Sequence, residues 1–481
     1  MRKTFLFIFI LIVSLFLGTK PFFSYWGITI FETSKTKNGL VTVGKDWNDF
    51  YDLSFYQFEN GALDVFAGYN HTYFIGNDYK LYSFGNNLNG KLGVGDEINR
   101  YYPTLVEELK TKRVVKVDSK YQNVLALTDQ KEVYSFGKGT SGALGNGLSI
   151  NSLIPVKIQN INNAIDIATG DEISAILTTE GIYVSGKNQS GAMGDSNLNL
   201  NYYHFTKLSF FDDKDIVSIY ATMKSFFALT SDGNLYTWGG NRNGELGNGT
   251  FSDSHYPSLV TIPNEKIISV STGLNHVIIL TDQNYLYGFG QNLDYQLGNN
   301  TENNANRPTL VYQNFRTTND RNKKITKIGS ASNSNYIILE NGSVYGFGDN
   351  AFGTLGFDRS KVLVKIPTYN ATLTSKKVKK LVGGFGHGLL LSKDNNFYGF
   401  GNNTNGELGM GQGVTTVYGQ VYQISNSRVI LKEVIKMMPG WDIKDTINVL
   451  YPLTTLYSDS TLTVLFLIEK MPSYNLAVYG S

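Results

Sequence analysis

Trp238-Gly239-Gly240-Asn241-Arg242-Asn243-Gly244-Glu245-Leu246-Gly247 decides the fold, because the chain writes this phrase seven times. The other copies run from Phe84-Gly85 to Leu92-Gly93, Phe136-Gly137 to Leu144-Gly145, Ser185-Gly186 to Met193-Gly194, Phe289-Gly290 to Leu297-Gly298, Phe347-Gly348 to Leu355-Gly356 and Phe400-Gly401 to Leu408-Gly409. A spacing of roughly fifty residues is that of propeller blades, units that bury a hydrophobic face only against their neighbours. Each phrase must reverse the chain where backbone passes close to backbone, and glycine suits such points because it lacks Cβ and takes positive φ cheaply. Asn87, Asn188, Asn241, Asn292, Asn350 and Asn403 stand two residues after the first Gly, with Gly139 in the remaining copy. Both residue types are expected there because they enter the left-handed region readily. The Leu of the phrase, Met193 in the third copy, is expected to plug the core beneath the loop.

Upstream of the quoted stretch, residues 226–230 are apolar, Ser231-Asp232-Gly233-Asn234 are turn formers, and Leu235-Tyr236-Thr237-Trp238 alternate. That pattern predicts a β-hairpin. It recurs at 124–136, 278–289, 337–347 and 389–400. Downstream, stretches led by Pro103, Pro257 and Pro308 lack an amide hydrogen and so predict an edge strand. A further apolar strand, as at 114–117, 216–219 and 267–270, leads into the next hairpin. Four antiparallel strands per unit predict an all-β, seven-bladed propeller. Apolar segments at 28–31, 40–44, 462–467 and 476–480 predict that strands from both termini close the ring and pair its edges. A full extra blade from those segments would make eight. A continuous repeat predicts one body over residues 24–481.

Composition narrows the function classes. Among 481 residues, 42 basic against 40 acidic side chains leave no field that would steer the chain toward nucleic acid. With no cysteine, disulfides, thiolate zinc sites and cysteine nucleophiles are excluded. Met1-Arg2-Lys3 and the apolar run 5–17 have the pattern of an export signal, so residues 1–20 are expected to be a signal peptide or an amino-terminal membrane anchor. The run is shorter than the roughly twenty residues that cross a bilayer comfortably.

The phrase Trp238 to Gly247, with its hairpin before and its Pro-led strand after, resembles the regulator of chromosome condensation repeat family over about residues 63–411. The resemblance implies a seven-bladed propeller that works by binding proteins. Together with the export-signal pattern of the first residues, it makes a non-enzymatic scaffold, exported or membrane-tethered and monomeric, the expected function, with loop faces turned to a protein partner. A guanine nucleotide exchange factor for a small GTPase is the alternative. Ser185 departs from the family's aromatic and Tyr295 from its middle Gly.

Apparent chemistry has structural readings. Gly137-Lys138-Gly139-Thr140-Ser141-Gly142 has dinucleotide-loop spacing, but its glycines fall in the repeat register. His71, His276 and His387 share one position, in Gly68-x-x-His71, Gly273-x-x-His276 and Gly384-x-x-His387, and a ring would hold them apart. They are expected to be structural, leaving no catalytic, cofactor or metal residues. The basic run 376–380 is expected to be a strand with one solvated face. Residues 315–324 lengthen the interval between the fifth and sixth phrases, and a partner contact is expected there, testable by trimming 317–322.

Overall fold

Every phrase closes a four-stranded antiparallel sheet whose strands follow chain order. The computed structural model describes residues 28–29, 61–410, 416–423, 447–458 and 461–470. Blades 1 to 7 span 62–105, 114–157, 164–207, 216–260, 267–310, 325–369 and 378–423. Blade 4 consists of Ile216–Ala221, Ser225–Thr230, Leu235–Gly239 and Ser254–Val260, and Leu229 stands opposite Leu235 across the predicted hairpin. The second strand of each blade is buried at every position, covered on both faces. Pro103, Pro257 and Pro308 lie in outermost strands, where no amide is needed.

The phrase glues each blade to the next. A Cβ on Gly247 would come within 2.9 Å of the Phe289 ring of the following blade, and one on Gly298 within 2.6 Å of Phe347. Both glycines also hold positive φ, 61° and 59°. Blade 3 offers Ser185 instead of an aromatic ring, and Phe205 from its outer strand lies over Gly145 in its place. The substituted unit keeps its interface by borrowing a ring from another strand.

The asparagines do a different job from the one their residue type suggests. Asn87 sits at φ −116°, and none of the six has positive φ. All are buried, and each Oδ1 accepts the amide of the phrase Leu or Met at 2.8–2.9 Å. Asn292 Nδ2 also donates to the carbonyls of Thr301 and Asn303. A side chain that satisfies three backbone groups at once braces the loop from inside, while glycine supplies the left-handed turns. Asn292→Ala is therefore expected to cost about 2–3 kcal/mol in chemical denaturation, since buried backbone groups lose their partners.

Ring closure differs from the expectation. Blades 1 and 7 are each complete without strands from the other end of the chain, and they meet as other neighbours do. Phe385 N donates to Tyr69 O at 2.7 Å. Gly409 lies against the Phe84 ring, and Gly406 against the backbone of Arg100 and Tyr101. The seventh phrase has the same glue as the other six, so a shared blade is unnecessary, and the count is seven rather than eight. The termini do pair, through Ile28–Thr29 with Thr461–Lys470, which in turn pairs with Ile447–Ser458. That three-stranded sheet belongs to a second compact unit, residues 1–58 with 426–481, whereas the propeller occupies 59–425. The single body expected over 24–481 is thus two units. The predicted segments 1–20, 40–44 and 476–480 lie outside the described residues.

Candidate protein-binding face

Alternating strand direction places two sets of loops at one end of the ring: the phrase loops and the short links between first and second strands. The links contribute Tyr69, Tyr121, Asp171, Met223, Leu274, Ser332 and Phe385, one from each blade. Their backbones bond from blade to blade: Asp171 N to Met223 O, Met223 N to Leu274 O, Leu274 N to Ser332 O, Ser332 N to Gly384 O, and Phe385 N to Tyr69 O. This belt holds the link side chains in place; Leu274 and Ser332 are buried, while Tyr69, Tyr121, Asp171, Met223 and Phe385 remain half-buried.

Three adjacent blades, 7, 1 and 2, place aromatic rings in the belt. Tyr69 stacks on Phe385 with centroids 4.7 Å apart and meets Tyr121 edge-on at 5.0 Å. Phe352, from the phrase loop of blade 6, extends the arc at 5.8 Å from Phe385 and is 37% exposed. Tyr69, Tyr121 and Phe385 are half-buried. Leu88 and Leu293, on other phrase loops, are exposed. Rigid, half-exposed rings give contact area at little conformational cost. Sequence reasoning missed this arc, because its members come from blades at opposite ends of the chain.

The three histidines lie where the repeat predicts and are fully buried, but the ring does not hold all of them apart, since His71 of blade 1 feels the charge of His387 of blade 7. His71 Nε2 meets Ser119 Oγ at 2.7 Å, His276 Nε2 meets Asn335 Oδ1 at 3.0 Å, and His387 Nε2 meets Thr72 Oγ1 at 3.2 Å. Each partner belongs to the next blade, so these are latches between sheets. Burial pushes His276 down to about 4 and His387 to about 3. Burial, with Lys91 and His387 nearby, holds His71 well below the usual range.

The basic run enters a strand, Val378–Gly383; Lys377 before it is exposed, but Lys379 and Lys380 within it face the neighbouring blade rather than solvent. It is the first strand of blade 7, and first strands pack on one another around the axis. Lys380 Nζ is 2.7 Å from Asp64 of blade 1 and 4.3 Å above the Phe66 ring, while Lys379 donates to Leu63 O. Farther round, Lys116 pairs with Asp166 at 2.5 Å. Lys120 spans from blade 2 to blade 5, donating to Thr272 O at 2.7 Å. Burial pushes its amine down to about 8, against the pull of Asp118. Convergence on the axis turns surface-like lysines into stitches between blades.

Residues 315–324 lie at the opposite end of the ring, in the connection between blades 5 and 6, where one short 3-10 turn, Gln313–Phe315, ends and a second, Thr318–Asp320, follows. Asp320 is 2% exposed and accepts from Tyr345 Oη at 2.6 Å, Asn341 Nδ2 at 2.7 Å, Thr317 Oγ1 at 2.9 Å and Ser343 Oγ at 3.0 Å. Burial would raise its carboxyl, but these bonds hold it below the usual range. The segment expected to meet a partner carries a buried structural anchor. Gly137 to Gly142 belong to the phrase of blade 2, and the next element is the strand Ser152–Lys157 rather than a nucleotide-binding helix.

Comparison with known proteins places this geometry. The RCC1-like domain matches residues 163–441, and the regulator of chromosome condensation (RCC1) repeat matches 79–127 and 131–177. The ultraviolet-B receptor UVR8 of Arabidopsis thaliana is 30% identical over 363 residues, covering 73% of this chain and 80% of that protein. The regulator of chromosome condensation of Mus musculus is 25% identical, covering 67% of this chain and 80% of that protein. Human E3 ubiquitin-protein ligase HERC2 is 29% identical over 66% of this chain, which spans only 6% of that protein. Two solved structures share the fold at a TM-score of 0.64 and 17% identity: human WBSCR16, over 81% of this chain and 98% of that one, and Prp20p of Saccharomyces cerevisiae, over 86% and 94%.

Proposed function

Because the chain belongs to the RCC1-like propeller family, we propose that it is a non-catalytic binding protein whose phrase-loop face grips a protein partner. The observation that carries this reading is the continuous arc Phe352, Phe385, Tyr69 and Tyr121, half-exposed on a hydrogen-bonded belt. Aromatic anchors held rigid beside polar loops are what protein interfaces concentrate their energy in. Prp20p, which shares the fold, is described as binding Gsp1p and histones, which supports a protein as the class of ligand. The histidines support a structural rather than a catalytic use of the interior, since each is spent on a neighbouring blade. The export-signal pattern of residues 1–17 supports an extracytoplasmic or membrane-tethered location.

Cross-linking of the native protein, followed by mass spectrometry, names the partner, and fractionation of the same cells reads the location. A chain carrying Tyr69→Ala and Phe385→Ala is expected to bind that partner at least about tenfold more weakly, the loss of one or two aromatic anchors. Undiminished binding by a folded double variant would reject the face.

A further inference from the structure

Next to the aromatic arc, the same face carries two acids that no described lysine or arginine pairs with. Asp294 lies in the phrase of blade 5, and Asp349 opens the phrase of blade 6. They are joined through Asn333, whose carbonyl accepts from Asp349 N at 3.0 Å and whose Nδ2 donates to Asp294 Oδ2 at 3.1 Å. Asp349 Oδ1 accepts from Ala351 N at 2.8 Å, one residue before Phe352. Asp294, Asn333, Asp349, Phe352, Phe385 and Tyr69 therefore form one unbroken track across blades 5, 6, 7 and 1.

Several other acids are matched. Glu172 has Lys138 at 2.8 Å and Lys187 at 3.4 Å, and Asp171 feels those lysines and Lys224. Asp64 and Asp166 have lysines of their own. Among the described residues, no lysine or arginine pairs with Asp294 or Asp349. Burial raises both carboxyls, and Asp294 raises Asp349 further by repulsion.

We infer that the partner presents a lysine or arginine side chain, whose charge sits between the Asp294 and Asp349 carboxylates while its stem lies on the Phe352–Phe385 shelf. Carboxylates select a cation, and a guanidinium pairs with them through charge-assisted bonds. An adjacent aromatic face adds cation–π attraction and covers the apolar stem. A nucleic-acid phosphate would meet two like charges here. The inference rests on the reading of this face as the binding surface and adds the chemistry of what it binds.

The test uses the full chain and four fluorescein-labelled peptides, identical except for a central Arg, Lys, Glu or Leu, titrated by anisotropy at low and moderate salt. The Arg and Lys peptides are expected to bind at least tenfold tighter than the Glu and Leu peptides, and to weaken with salt. Asp294→Asn with Asp349→Asn should remove the preference for Arg over Leu, while keeping a thermal midpoint at or above the wild type because a repulsion has gone. Tyr69→Ala should weaken the Arg, Lys and Leu peptides alike. Equal binding of the Glu or Leu peptide, no binding of the Arg and Lys peptides, or a preference that survives both Asp→Asn changes overturns the inference. If the preference is absent yet Tyr69→Ala with Phe385→Ala still releases the cross-linked partner, the face stands and only its charge chemistry falls.

Discussion

His276→Gln is expected to narrow its stability gap to the wild type by about 2 kcal/mol as pH falls from 6.5 to 4.5. His276 is buried, neutral and bonded to Asn335 Oδ1, with its pKa pushed down to about 4. The unfolded chain takes up the proton near pH 6.5, the ordinary histidine value, while the folded chain refuses it until about pH 4. Between those values the unfolded state binds more protons, so the histidine's contribution is whole above the unfolded value and is lost on acidification, at up to about 1.4 kcal/mol per pH unit midway between them. Glutamine keeps an amide donor for Asn335 and does not titrate. His71 and His387 have the same sense of shift and steepen the acid limb in both proteins. Glu245 and Glu407, with carboxyls raised by burial, act in the opposite sense, so the difference between proteins is the clean quantity. Urea unfolding at pH 6.5 and 4.5 measures it, and a gap that does not change with pH would remove the claim.

Gly406→Val and Gly244→Val are expected to cost about 4 kcal/mol each, and to cost the same within about 1 kcal/mol. Gly244 holds φ +87°, and a Cβ there would stand 2.6 Å from Ala305 O in the next blade. Gly406, at the seam, holds φ +93°, and its Cβ would stand 2.6 Å from Arg100 O. A β-branched residue in that backbone region costs about 1–3 kcal/mol, and forcing it into a filled contact adds about 1–3 more. Equality is the informative part, because it says the join between blades 7 and 1 is as tight as an internal one. If Gly406→Val were tolerated while Gly244→Val unfolded the protein, the wheel would be open at its seam.

Much of this architecture is legible in particular residues. Trp238-Gly239 and Leu246-Gly247, repeated down the chain, announce blades because the same packing problem recurs at each interface. Pro257 marks an outer strand because only an edge tolerates a missing amide. Where the reading went astray, a local rule lost to a neighbour in space. Asn241 has the preference of a turn former but is spent as a buried brace on Leu246 N. Lys380 has the look of a surface charge but faces Asp64, more than three hundred residues earlier in the chain.

By itself, the order of residues determined the repeat, the four strands of each unit, the glycines of the turns and the latch positions of His71, His276 and His387, since each rests on contacts within a blade or one blade on. Only the tertiary structure decided how the ring closes, that 426–481 belongs to a different compact unit from 59–425, and that Tyr69, Phe385, Phe352, Asp294 and Asp349 share one face. The physical reason is that periodicity encodes the interface common to all blades, whereas a binding face is made of the residues that differ between them, brought side by side by the closed circle.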